Sequence, residues 1–118
     1  ATSVWEQYIP EHEGIEHYGM YGMKYDRSFC HAWGAGPIYL LGAYHMGLRP
    51  TAPGYATFVV APDASAADSF EGTLPLPDGQ VEISLKDGRL TVRASRDGGE
   101  AVWNNQRVSL PAGETVTL

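Results

Sequence analysis

Carboxylates and imidazoles crowd the first part of the chain. Glu6, Glu11, Glu13 and Glu16 lie among His12 and His17, His31 and His45 follow, and Cys30 is the only thiol. Such groups can ligate a metal, move protons or supply a nucleophile, and their spacing narrows the choice. Glu11-His12-Glu13 and Glu16-His17 match no metal-ligand pattern and read as a solvated polar loop, so neither a metal nor another cofactor is expected. Cys30 has no activating partner nearby in sequence and reads as a small buried hydrophobe. Gly34-Ala35-Gly36 follows no strand and precedes no Lys-Ser/Thr pair, which excludes a phosphate loop; its glycines suit close helix packing. By residue type alone, Glu6 is a solvated or salt-bridged carboxylate and His31, on an apolar segment, a core histidine. Tyr18, Tyr21 and Tyr25 either stack sugars or anchor a loop.

These groups need elements to hold them, and composition limits what those are. In 118 residues with 43% hydrophobic and 19% charged side chains, one modest globular core is expected. The net charge of −6, with no Lys/Arg cluster, argues against a nucleic-acid footprint or an anionic-membrane patch. No apolar run is long enough to span a bilayer. The start, Ala1-Thr2-Ser3-Val4-Trp5, lacks the build of a signal peptide and reads as the middle of a longer polypeptide; the compartment stays open.

Two regions differ in grammar. Residues 1–27 are polar, aromatic and broken by glycines, with no clean period, and read as a long functional loop or a broken helix. From Ser28 to Met46 apolar residues dominate; a helix is expected to begin near Pro37 in its first turn or to bend there, with Gly47 as its C-terminal stop. Being apolar nearly all round, it should be buried, against the remainder of a larger fold or, as a homo-oligomer, through the apolar segment Phe29–Met46. Beyond a proline-rich joint at 49–54 the pattern turns to β. Strands are expected at 57–60, 69–74, 80–85, 89–94, 100–103, 106–110 and 114–118. Asp87-Gly88 marks a tight hairpin, and the spacing suggests an antiparallel sandwich. Trp103 is read as core or hairpin cover.

Three strings in order carry a resemblance. Val4-Trp5-Glu6, then Ser28-Phe29-Cys30-His31-Ala32-Trp33-Gly34-Ala35, then Gly47-Leu48-Arg49-Pro50 leading into Gly54-Tyr55 and the strand Phe58-Val59-Val60 together resemble the C-terminal end of bacterial α-L-rhamnosidases. The resemblance implies an α+β fragment: the terminal loop and helix of a six-hairpin α/α-barrel over residues 1–49, then an antiparallel β-sandwich over 50–118. It implies hydrolysis of terminal α-L-rhamnosides with inversion. Glu6 would be the general base that activates water, His31 would hydrogen-bond the sugar, and Trp5 would wall the sugar subsite. The partners implied are a rhamnose-containing glycoside and the rest of the catalytic barrel, which holds the general acid; the chain alone should be inactive.

Two other readings compete. A six-hairpin glycosidase acting on a different sugar would share these features. A non-catalytic β-sandwich that binds carbohydrate or braces a neighbour would need exposed aromatics on its strands, and only Tyr55, Phe58, Phe70 and Trp103 are available there.

Overall fold

Strict alternation builds the most regular part of the molecule. In β4 (Gly79–Lys86) Val81, Ile83 and Leu85 point inward, as do Leu90, Val92 and Ala94 in β5 (Arg89–Ala94). The intervening Asp87 and Gly88 both take positive φ, 51° and 74°, the conformation that a two-residue hairpin turn with the strands' own twist requires. The computed structural model describes residues 3–63, 65 and 69–118; Ala1 and Thr2 of the N-terminal string lie outside them.

Strands β3 (Phe70–Leu76), β4, β5 and β8 (Thr115–Thr117) form one antiparallel sheet in that order. The other sheet has the order β1 (Leu48–Pro50), β2 (Phe58–Val60), β6 (Gly99–Trp103) and β7 (Gln106–Leu110). Phe58, Val60, Ala101 and Leu110 of this sheet share one buried cluster with Val81, Ile83, Leu90 and Val92 of the first, so the two sheets form a β-sandwich. Trp103 serves both expected roles: its ring is in the core and its indole N–H donates to the Gly88 carbonyl at 2.8 Å, tying the β4–β5 turn to the opposite sheet. The expectation of a wholly antiparallel sandwich is corrected at one place. β2 and β6 pair in parallel, with Phe58 beside Gly99 and Val60 beside Ala101. Three strands of the other sheet lie between them in sequence, and they supply the long crossover that parallel pairing needs.

The helical segment is less regular than its apolar run suggests. A 3-10 turn (Ala32–Ala35) leads into a short helix, α1 (Gly36–Leu40), with Pro37 in its first turn as expected. A π-helical turn follows over Leu41–His45 and closes with the Met46 N–H donating to the Leu41 carbonyl at 2.8 Å. Gly47 ends it at φ 80°, where a Cβ would also lie 2.1 Å from the Ala61 carbonyl carbon, so glycine is required twice over. This chain by itself does not cover the segment: Trp33 is 89% exposed, and Ile38, Leu41 and Tyr44 are also exposed, while Ala43 and Met46 are buried. The chain divides into two compact units, Ala1–Tyr39 and Leu40–Leu118, ahead of the 49/50 boundary expected from sequence. Arg49 and Pro50, read as the start of a proline-rich joint, instead form the edge strand β1 with Leu48, and the Arg49 guanidinium reaches back to the Ala43 carbonyl at 3.2 Å.

No helix among the described residues is long and apolar enough to cross a membrane.

Candidate active site

In the first unit, two short extended segments are laced together by the main chain. The Glu6 N–H donates to the Ser28 carbonyl at 2.9 Å, and the His31 N–H to the Val4 carbonyl at 2.7 Å. The Ser3 hydroxyl donates to the Phe29 carbonyl. Gly34 permits this approach, since a Cβ there would meet Val4 Cγ1 at 2.5 Å. The close approach is to a non-helical segment and not to a helix as its sequence suggested, and Gly36 has open space around it.

The lacing brings the two polar candidates together. His31 Nδ1 lies 4.0 Å from Glu6 Oε2, and the side chains are 31% and 19% exposed. His31 is therefore no core histidine, and Glu6 is neither buried nor freely solvated. The Ser28 N–H also donates to Glu6 Oε2 at 3.0 Å. That bond to a charged acceptor fixes one carboxylate oxygen, while Oε1 takes no hydrogen bond among the described residues.

Aromatic rings support this arrangement in place of an aliphatic core. The Trp5 ring meets Phe29 edge-on at 4.6 Å, His17 at 5.7 Å and Tyr8 at 5.8 Å, and Tyr8 stacks on His17 with the planes 8° apart. Tyr18 joins Phe29 at 5.1 Å and Tyr25 at 6.2 Å. Tyr18 thus ties the loop to Phe29, while Tyr25 is largely exposed and Tyr21 sits exposed at φ 52° in a tight turn closed by paired Met20 and Met23. Glu16 accepts the Glu13 N–H at 3.1 Å across the 3-10 turn Gly14–Tyr18, a local capping use for part of the acidic run. His12 and His17 lie 5.9 Å apart ring to ring, and no group of three or more metal-ligating side chains assembles among the described residues.

Cys30 is exposed, which corrects its reading as a buried hydrophobe. At this bend the Phe29 ring turns to Trp5 and Tyr18, while the neighbouring Cys30 is left exposed. Sequence reasoning also missed Ser28 and the Gln7–Arg27 pair. Ser28 acts through its main chain, which no residue type reveals. Arg27 is only 7% exposed; its Nη2 donates to Gln7 Oε1 at 3.3 Å, and its Nε and Nη1 lack partners among the described residues.

Compared with known proteins, the chain matches no family model and no curated sequence.

The sandwich offers a different kind of surface. A shallow groove of about 490 Å³ on β3, β4 and β5 is lined by Thr73, Ser84 and Thr91 with Glu82 and Arg93, which pair with each other at 3.5 Å. It holds no aromatic ring and its central charges are already paired. Chemically, the first unit presents a mostly covered carboxylate with one oxygen fixed and one without a hydrogen bond among the described residues, beside an imidazole. That is the equipment for taking a proton from water next to a hydroxyl-bearing ligand.

Proposed function

We propose that this chain is the C-terminal part of an inverting glycoside hydrolase that cleaves terminal α-L-rhamnosides, with Glu6 as general base and His31 and Trp5 at the sugar. The observation that carries the reading is the approach of Glu6 to His31, two residues twenty-five positions apart that the sequence strings single out together. Glu6 Oε1 takes a proton from water as the water oxygen bonds to the anomeric carbon. The bond from that carbon to the aglycone oxygen breaks, and a carboxylic acid from the upstream barrel protonates the leaving oxygen. Inversion requires the two carboxyl groups on opposite faces of the sugar, roughly 6.5–9.5 Å apart. The exposed apolar side chains of Trp33 and Ile38 are a surface on which the remaining barrel helices would pack.

A carbohydrate-binding sandwich is less well supported, because Phe58 and Trp103 are buried in the core and Phe70 packs beside His45 at 4.9 Å. The test uses the full-length polypeptide and a panel of aryl glycosides. The α-L-rhamnoside is expected to be the preferred substrate, and Glu6→Gln should lower turnover at least about a hundredfold with KM nearly unchanged. A folded Glu6→Gln variant with near-normal turnover would overturn the assignment of the base; preference for another glycoside would move the reading to a different sugar.

A further inference from the structure

Resting on that reading, we infer that His31 is a positioning residue for the Glu6 carboxylate as well as a sugar contact, with its two ring nitrogens dividing the work. Nδ1 faces Glu6 Oε2 at 4.0 Å, on the carboxylate oxygen that already accepts the Ser28 N–H. That distance is too long for a hydrogen bond as it stands, and catalytic contacts of this kind tighten when substrate closes the site. A carboxylate only accepts, so the contact requires the proton on Nδ1. Nε2 of the neutral ring is then an acceptor, and the sugar group it meets must be a hydroxyl that donates. Two donors on Oε2, the Ser28 amide and the His31 imidazole, leave Oε1 as the oxygen that receives the proton from water.

The main chain makes the coupling rigid. The His31 N–H is bonded to the Val4 carbonyl and the Glu6 N–H to the Ser28 carbonyl, so the imidazole and the carboxylate ride on one laced pair of segments. With His31 31% exposed, substitutions there leave the aromatic cluster intact.

Two conservative substitutions in the full-length enzyme separate the nitrogens, because asparagine supplies an amide near the Nδ1 position and glutamine one near Nε2. His31→Asn is expected to keep kcat within about threefold and raise KM about tenfold. His31→Gln is expected to keep KM within about threefold and lower kcat about tenfold, with no further loss of kcat in a Glu6→Gln background. A histidine that only binds sugar would raise KM in His31→Asn and leave kcat unchanged in both variants, and a structural histidine would lower the melting temperature with both constants unchanged; either result overturns the inference. So does misfolding of both variants, read by circular dichroism. The outcomes also separate this inference from the reading beneath it: if Glu6→Gln stays active, the general base itself is wrongly placed. If Glu6→Gln is inactive while His31→Asn and His31→Gln behave alike, only the division of the imidazole fails.

Discussion

The two units of this chain are held together by different physics. All the buried hydrophobic side chains among the described residues belong to Leu40–Leu118, where two sheets share an aliphatic core closed by Phe58, Leu110 and Trp103. In Ala1–Tyr39 the buried side chain among the described residues is the guanidinium of Arg27, and cohesion comes from ring contacts and main-chain lacing. Ring pairs are worth about 0.5–1.5 kcal/mol each beyond burial, whereas full burial of one large apolar side chain is worth about 1.5–3 kcal/mol. The candidate chemistry thus sits on the part of the molecule with the thinner energetic support, and the stable part carries none of it.

The comparison can be broken at its strongest point by one pair of substitutions. Phe58→Ala, at a ring 1% exposed, should cost about 3–5 kcal/mol, while Phe29→Ala, at a half-buried ring, should cost less than about 2 kcal/mol. Urea unfolding of both variants checks this, and a larger loss for Phe29→Ala would mean that the first unit has the denser core. A smaller effect is expected at Trp103→Phe, which keeps most of the packing but removes the indole donor to the Gly88 carbonyl. The unfolding free energy should fall by about 1–2 kcal/mol, read as a lower urea midpoint with the slope unchanged. An unchanged midpoint would show that the sheets need no such tie.

The smallest effect concerns Asp63. Its Oδ1 accepts the Ser65 N–H at 2.9 Å and the Ser65 hydroxyl at 2.7 Å, and these bonds, the main-chain one foremost, hold the carboxyl below its ordinary value of 3.8. A depressed folded-state value means that the contribution is complete above the ordinary carboxylate range and is lost as pH falls through the depressed one. The Ser65 amide resonance should therefore shift with a midpoint below the usual aspartate value, with little change in global unfolding. A midpoint at or above that value would remove the turn as a source of order.

How far the sequence announced all this differs between the units for the same physical reason. Alternation in Gln80–Leu85 and Arg89–Ala94, with Asp87-Gly88 between, gave the central hairpin, because a half-buried strand writes its inward face into every second residue. Between the strands expected at 100–103 and 106–110, Asn104-Asn105 takes φ 47° and 63° and makes a second turn of the same kind. β1 escaped notice because Leu48-Arg49-Pro50 is too short to show a period and its proline reads as a breaker. In the first unit the strings containing Glu6 and His31 were visible as residue types. The contacts that join them run through the amides of Glu6, Ser28 and His31, and main-chain hydrogen bonds leave no mark on composition. The exposure of Cys30 was missed likewise, since it follows from which way Phe29 turns.

The parallel pairing of β2 with β6 has a consequence for a chain made from its N-terminus. β3, β4 and β5 can zip up through two-residue turns as soon as each emerges from the ribosome. β2 emerges before all three, yet its partner edge, Gly99–Ala101, comes after them. Until then one edge of Phe58–Val60 has no strand beside it, and the phenylalanine and valine that later close the core face water. The nascent polypeptide therefore passes through a stage in which three strands of one sheet are already paired, still awaiting β8, while the other sheet offers a bare, apolar strand edge, the interval when strand-to-strand aggregation threatens it most.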